Sequence, residues 1–208
     1  MGLTKRKERE YLTHRKEILQ AAEKVFAEKG FFQTTMSEIA VAAEFGTGSL
    51  YKYFKSKENL YFTLIDEKVE EINRSVRVGL SEKKSAVERI KKVLGLEFEF
   101  IERNRDFFRI YISEMNRFDW TMKDDLGKGI HDKMVKYIDI LAGVMRQGIK
   151  EGEFKSLSPL DLAQALVGMV NSVVFEWLVS PKAYPLISKM DTVLEIFLRG
   201  TQRIERRR

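Results

Sequence analysis

Few residues in this sequence have the types and spacing that catalysis or metal binding requires. The two histidines, His14 and His131, stand outside any His-Glu-x-x-His pattern. Cysteine is absent, which removes thiol nucleophiles, disulfides and thiolate zinc ligands. Glu97 and Glu99 are two residues apart in a helical pattern, so their carboxylates point to different faces. We therefore predict no catalytic residue, no metal site and no cofactor, in a protein that is not an enzyme.

A stretch of small residues from Gly46 to Gly48 has part of the pattern of a phosphate-binding loop. A dinucleotide-binding loop follows a strand and has a third glycine. Here Tyr51 occupies the position of that glycine, and no strand pattern precedes the stretch. A nucleotide cofactor is therefore not expected at this position.

The segment from Thr34 to Leu60 instead contains two short helices separated by a tight turn. Thr35 and Glu38 have the spacing of a capping box, in which Thr35 is the N-cap residue. Residues 44–46 form the turn, and a second helix is predicted from about Thr47 to Phe54. This arrangement indicates a helix-turn-helix, whose second helix fits into the major groove of DNA.

The outward face of this second helix has the side chains that DNA recognition requires. Thr47, Gly48 and Ser49 are small enough for the backbone to approach DNA. Ser49, Lys52 and Tyr53 offer hydrogen bonds to the edges of bases. The alternative is an ordinary helical hairpin in a core, which would contain the inner apolar residues but would not explain this outer face.

The charge of the chain permits contact with nucleic acid. Its 37 basic and 31 acidic residues give a net charge of +6 and a pI near 9.3. One basic cluster comes before the motif (Lys5, Arg6, Lys7 and Arg9), and another lies at the end of the second helix and just after it (Lys52, Lys55 and Lys57). Tyr51 and Lys57 have the side chains that hold phosphate groups and so position a protein on DNA.

The rest of the chain must position this motif, and its apolar residues recur with helical spacing. We predict an all-α protein of about nine helices, the first over about Thr13–Lys29 and the long fourth over about Lys57–Leu80. Further helices are predicted near 86–103, 106–117, 124–151, 159–179 and 186–203. The polar stretch Ser81–Ser85 follows the fourth helix.

These helices predict two domains. The first, 12–72, is an N-terminal helix-turn-helix DNA-binding domain of three helices with its motif at about 35–54. The second, 73–208, is a C-terminal helical bundle for ligand binding and dimerisation. Only about 14 residues, from Leu166 to Val179, form the most apolar stretch, which is too short to span a bilayer. We therefore expect a cytoplasmic protein without membrane contact.

The motif resembles that of the TetR family of transcription regulators. Thr35, Ile39-Ala40 and the run from Gly48 to Phe54 match the family's signature, and Ser56-Lys57-Glu58-Asn59-Leu60 matches its end. In the first helix, Ile18, Ala21-Ala22, Phe26 and Gly30 match as well. The resemblance covers roughly residues 13–65, while the remainder is similar to the family only in helix number and length.

This resemblance implies a homodimer that binds a palindromic double-stranded DNA operator, usually as a repressor that a small molecule releases. It implies that DNA bases are the partners of Thr47, Ser49, Lys52 and Tyr53. Phosphates would be the partners of Thr35, Gly48, Tyr51 and Lys57. The helices near 159–179 and 186–203 would pair with those of the partner to form a four-helix interface.

The sequence departs from the family in the turn. Glu44 stands where the family usually has glycine, and Gly46 stands where it usually has a capping serine or threonine. Glycine is an acceptable N-cap residue. A carboxylate near DNA is mildly repulsive unless it turns away or accepts from a cytosine amine. This departure bears on which bases the motif prefers and not on the motif itself.

Aromatic residues are more abundant in the second domain than a thin bundle needs. An ordinary core explains each one singly, whereas together they favour an apolar pocket between helices. We predict Phe100, Tyr111, Met115 and Phe175 as lining residues, with a largely apolar or aromatic effector, an acyl chain being one option. The alternatives are a regulator without a ligand, a helical enzyme or carrier, and an adaptor that binds acidic proteins.

Overall fold

The computed structural model describes residues 5–80, 84–115, 125–180 and 184–202; for 113–115 and 125–127 it describes the backbone only. In this part of the chain there are nine α-helices and no strand, as predicted. The helices are α1 (Lys5–Lys29), α2 (Met36–Ala42), α3 (Thr47–Leu50), α4 (Lys57–Leu80), α5 (Ala86–Arg103), α6 (Arg105–Met115), α7 (Asp125–Lys150), α8 (Pro159–Val179) and α9 (Met190–Thr201). A 3₁₀ turn, Leu186–Lys189, precedes α9.

Three helices differ from their predicted bounds, and one of them is α9, which begins at Met190 rather than near 186 because a 3₁₀ turn precedes it. α1 begins at Lys5 rather than near Thr13, because its polar first turns continue the helix without contributing to the core. α3 ends at Leu50, after which Lys52 and Tyr53 donate to the carbonyls three residues before them. The predicted second helix of the motif is therefore one α-helical turn followed by a tighter, 3₁₀-like turn.

The described residues form two compact units, each with its own core. Unit 1 consists of residues within 5–68 and 106–130, and unit 2 of residues within 69–105 and 131–202. The division falls inside α4 and inside α7, so each of these helices contributes to both units. The membership of 106–130 in unit 1 had no signal in the sequence, where the domains were predicted as 12–72 and 73–208.

The core of unit 1 holds α1 and the two helices of the motif, α2 and α3, together. One stripe of α1 is buried; α1 packs against α2, and the ring of Phe26 lies edge-on to that of Tyr61 in α4 at 5.5 Å. The fully buried residues include Ile18, Ala22, Phe26, Ile39, Leu50, Phe54, Leu60 and Ile65. Since Leu50 and Phe54 anchor the inner side of the α3 region, its other side is left facing outward.

Unit 2 is built around α5, α7, α8 and α9. Its buried side chains include Ile90, Phe98, Leu141, Met145, Phe154, Leu166, Trp177, Leu186 and Phe197. α8 starts as predicted, with Ser158 as N-cap residue and Pro159 as first helical residue; the Asp161 amide donates to Ser158 Oγ at 3.3 Å.

α8 also corrects one expectation from the sequence. The apolar stretch that was judged too short is part of a helix of 21 residues that contains an 18-residue window with a mean hydropathy of 1.6. By length and composition, α8 is the single candidate membrane span among the described helices, and 39% of this window is buried inside the chain. Length alone therefore does not exclude a span.

Candidate nucleic-acid interface

The first helix of the motif, α2, begins at a complete capping box. The Glu38 amide donates to Thr35 Oγ1 at 3.2 Å, and the Thr35 amide donates to Glu38 Oε2 at 2.9 Å. Lys29 Nζ donates to Glu38 Oε1 at 2.6 Å. The hydrogen bond from Lys29, followed by those from Thr35, lowers the pKa of Glu38 to about 2. Thr35 itself is exposed, so its predicted contact with phosphate remains sterically open.

The turn after α2 requires a left-handed backbone at one residue. Glu44 has φ 60°, a region that glycine adopts readily and other residues adopt at a cost. This is the position at which the related motif usually has glycine. Gly46 is the N-cap residue of α3 and has no side chain to cap it; its carbonyl accepts from the Ser49 amide at 2.8 Å.

The outward face of α3 is open. Thr47, Gly48, Tyr51 and Lys52 are exposed, while Ser49 is half-buried. A Cβ atom at Gly48 would have no neighbouring atom within 4 Å. The fold itself therefore does not require glycine at this position. A molecule that approaches the backbone closely here would require a residue without a side chain.

Tyr53 differs from the other residues predicted to face bases, because α1 holds it. Its hydroxyl lies 3.0 Å from Nδ1 of His14, and its ring stacks on Tyr11 with centroids 4.9 Å apart. The ring of Phe45 lies edge-on to it at 6.2 Å. Tyr53 is half-buried as a result, and any contact with a base would be made from a fixed position. These contacts of Tyr53 could not be predicted from the sequence, because His14 and Tyr53 are far apart along the chain.

Lys57, predicted to contact phosphate, has an intramolecular role in this structure. Its ammonium donates to the carbonyls of Phe31 and Thr34, each at 2.8 Å, and to that of Phe32 at 3.4 Å. It also lies 4.4 Å from the centre of the Phe31 ring. An ammonium has three N–H groups, and three carbonyls occupy them. Lys57 therefore holds the loop that leads into α2, and its contact with phosphate stays a prediction that would require this loop to release it.

The basic cluster of residues 5–9 is part of α1 rather than a separate arm. Lys5, Arg6, Lys7 and Arg9 are all exposed, and Arg6 pairs with Glu10 at 3.0 Å. Because the helix carries these charges at one end, their spacing is fixed by the helix. The sequence located the charges but not this rigidity.

The four residues predicted to line a ligand pocket are in different environments. Phe100 is buried in the core of unit 2. Tyr111 is half-buried in unit 1, where burial raises the pKa of its hydroxyl and its ring stacks on Phe107. Met115 ends α6, and its side chain is outside the described part of the structure. Phe175 is 52% exposed on the outer face of α8, so it does not line an interior space in the single chain.

Two further polar groups in unit 2 were not singled out from the sequence as sites. The Tyr137 hydroxyl donates to Glu97 Oε1, and Glu97 is half-buried. Burial raises the pKa of Glu97 to about 7, although the hydrogen bond from Tyr137 acts in the opposite direction. The Glu153 carboxylate accepts from the amides of Ala86 at 2.8 Å and Val87 at 3.1 Å, at the start of α5.

Both the N-terminal and the C-terminal part of this chain match known protein families. Residues 18–64 match the family described as bacterial regulatory proteins, tetR family. Residues 62–200 match the C-terminal region of the YsiA-like proteins. The chain is similar to the fatty acid metabolism regulator protein of Bacillus subtilis, with 27% identity over 185 residues that cover 88% of this chain and 93% of that protein.

Solved structures agree with these matches. The structure is similar to that of the transcriptional regulator FadR from Bacillus subtilis in complex with stearoyl-CoA, with a TM-score of 0.74, 27% identity and coverage of 88% of this chain and 97% of that one. It is also similar to the ketosteroid transcriptional regulator KstR2 of Mycobacterium tuberculosis, with a TM-score of 0.75, 26% identity and coverage of 91% and 95%. Because the two family matches together extend from residue 18 to residue 200, this chain belongs to the TetR family of DNA-binding transcription regulators.

Proposed function

We propose that this regulator is a cytoplasmic repressor that binds a palindromic operator as a homodimer and that an acyl-coenzyme A releases from DNA. The observation that carries DNA binding is the open face of α3, where small and polar side chains project outward from a buried anchor. By this proposal Thr47, Ser49, Lys52 and Tyr53 face bases. Thr35, Gly48 and Tyr51 face phosphates, which set the register on DNA without reading sequence.

The proposal of a homodimer is supported by the outer face of α8 and α9. Apolar side chains remain exposed there in the single chain: Leu160 at 44%, Phe175 at 52%, Val179 at 61% and Ile196 at 59%. Ala165 and Gly168 are exposed between them and leave room for a second helix to approach. A two-fold axis would place this face against its own copy and bury the apolar surface.

The same face favours a protein partner over lipid. Gln164, Asn171 and Glu176 are exposed along α8, interspersed with the apolar side chains. In hydrocarbon the amides of Gln164 and Asn171 would lack hydrogen-bond partners and the charge of Glu176 would lose its hydration, each at a cost of several kcal/mol. A polar group in a protein interface is satisfied by the partner or by water instead.

The proposed effector follows from the relatives, one of which was solved with stearoyl-CoA. Its acyl chain agrees with the largely apolar effector expected from the aromatic residues of the chain. Release is a shift in population: the ligand binds better to a conformation in which the two recognition helices of the dimer no longer fit successive major grooves.

The experiment is fluorescence anisotropy on the DNA upstream of the gene, compared with a shuffled duplex across a salt series. We expect tight binding to the native duplex with a steep dependence on salt. Stearoyl-CoA should then lower the anisotropy, whereas coenzyme A alone should not. Equal binding to both duplexes would contradict sequence-specific recognition, and binding that stearoyl-CoA leaves unchanged would favour a regulator without this effector.

Gly48→Ala separates contact with DNA from folding. No atom lies near the added methyl group, so we expect a free energy of unfolding that is unchanged or higher by up to about 1 kcal/mol. Affinity for the operator should fall by about tenfold, since the methyl group would meet the DNA backbone. Gly143→Ala is the matched control, because a Cβ in this α7 position also has no neighbour within 4 Å. Equal affinities of the two variants would contradict the proposed interface.

A further inference from the structure

An arginine of unit 2 is stacked on a tryptophan and has no acidic partner among the residues that the structure describes. The guanidinium carbon of Arg105, the first residue of α6, lies 4.6 Å from the ring centre of Trp177 in α8. Its Nε is buried and has no hydrogen-bond partner. The residue as a whole is half-buried, so part of its side chain still reaches solvent.

A second cation continues this arrangement. The indole nitrogen of Trp177 donates to the carbonyl of Tyr184 at 2.8 Å, and the ammonium of Lys189 lies 4.9 Å from the ring centre of Tyr184. The Tyr184 hydroxyl in turn donates to a Glu176 carboxylate oxygen. Within the described ranges neither Arg105 nor Lys189 forms an ion pair, with Glu176 or with any other carboxylate. Two cations are thus placed on two linked aromatic residues, with no counterion.

The chemistry of this cluster suits a phosphate ligand. A partly desolvated cation without hydrogen bonds is costly, and stacking on an aromatic ring offsets only part of that cost. The planar guanidinium offers N–H donors that match a phosphate, and an ammonium supplies a second point charge. A ligand with more than one phosphate group would therefore satisfy both cations.

We propose that Arg105 and Lys189 bind the phosphate groups of the coenzyme A part of the effector, with Trp177 and Tyr184 positioning them. This inference rests on the proposed function, because coenzyme A supplies the phosphates. A free nucleotide that carries two phosphates offers the same chemistry, so the test compares the two sources.

The test is isothermal titration calorimetry of the full-length protein with three probes, each below its micelle concentration. Stearoyl-CoA contains the acyl chain and the phosphates, and stearoyl-pantetheine contains the chain and thioester without phosphate. Adenosine 3′,5′-diphosphate contains the nucleoside with two phosphates and no acyl chain. For Arg105→Met we expect stearoyl-CoA to bind at least about tenfold more weakly, with stearoyl-pantetheine unchanged. Lys189→Met should show a smaller loss in the same direction, and wild-type affinity for stearoyl-CoA should fall as salt rises.

Arg146→Met is the matched control, since Arg146 is exposed on α7 and stacks on no ring. The melting temperature of Arg105→Met should equal or exceed that of the wild type, because the variant removes an unsatisfied buried donor. A structural role would instead lower it and weaken stearoyl-CoA and stearoyl-pantetheine alike, which would overturn the inference. So would equal binding of stearoyl-CoA by wild type and Arg105→Met.

Two other outcomes separate this inference from the proposed function. Tighter binding of adenosine 3′,5′-diphosphate than of stearoyl-CoA, lost in Arg105→Met, would keep the phosphate site but replace the effector by a free nucleotide. Failure of the wild type to bind either phosphate-bearing probe would overturn both the effector and the site, while operator binding by the same protein would remain measurable.

Discussion

At the scale of single residues, the left-handed backbone that the turn requires at Glu44 lowers the free energy of unfolding. Its φ of 60° is adopted readily by glycine, and its side chain is exposed with no packing to lose. We expect Glu44→Gly to raise the free energy of unfolding by about 0.5–1 kcal/mol, measured by urea denaturation. Glu44→Ala is the control: it removes the charge but keeps a Cβ, so it should not give this gain. Equal gains in the two variants would show that charge, and not backbone conformation, sets the cost.

Glu97 makes stability depend on pH near neutrality. Its pKa is about 7 when folded, against an ordinary value of 4.5. Below pH 4.5 both states are protonated; between 4.5 and 7 only the unfolded state ionises, so stability falls as pH rises through this window. We expect Glu97→Gln to remove this slope and to be more stable than wild type at pH 8 by about 1–2 kcal/mol. The exposed Glu99→Gln should retain the slope, and a slope that persists in Glu97→Gln would assign it to another group.

The roles of residues within the helices of this site were easier to predict from the sequence than the partners of their side chains. Thr35, Glu38 and Leu50 were predicted correctly as N-cap, capping-box and inner-face residues, because their interactions lie within one helical turn. Lys57 was assigned to phosphate, yet its partners are carbonyls of a loop more than twenty residues earlier. A contact of this kind depends on packing between helices, which spacing along one helix does not contain.

At the scale of helices, α5 is attached to the rest of unit 2 at its first turn. Ser85 and Glu88 form a capping box, and the Glu153 carboxylate accepts from two further amides at the same end. A carboxylate at the N-terminus of a helix also interacts favourably with the helix dipole. The start of α5 is therefore held from within the helix and by the segment that follows α7.

Glu153→Ala should weaken this attachment. We expect the free energy of unfolding to fall by about 1–3 kcal/mol, since two amides lose a charged acceptor, and amide hydrogen exchange in the first turn of α5 to quicken. Glu151→Ala is the control, because Glu151 is exposed just after α7 and its carboxylate accepts, among the described residues, only from Gln147 of α7, at 2.7 Å. Similar destabilisation by the two variants would contradict the role given to Glu153.

The bounds of α5 and α8 followed from the sequence, since caps and apolar stripes are local signals. The length of α1 did not, because its first turns bury nothing and so carry no apolar period. The sequence also did not predict that α4 and α7 each contribute to two units. A periodic stripe shows that a face is covered without showing which part of the chain covers it.

At the scale of the whole molecule, Phe175 has been given two different roles, one in a ligand pocket and one in the dimer interface. The sequence assigned it to a ligand pocket, whereas its exposure in the single chain places it on the face proposed to form the dimer. Because it is exposed, Phe175→Glu should leave the protomer folded. In the proposed dimer it would bury two unpaired charges near the two-fold axis, which an interface of ordinary size does not tolerate.

We therefore expect Phe175→Glu to be monomeric at micromolar concentration by light scattering, with wild-type helicity. Its affinity for the palindromic operator should fall by about a hundredfold or more, since each half-site would be bound independently. Val78→Glu is the control: Val78 is 67% exposed on α4, outside the proposed interface, and the variant should remain a dimer. A dimeric Phe175→Glu that binds operator normally but no longer responds to stearoyl-CoA would reverse the assignment and return Phe175 to the effector site.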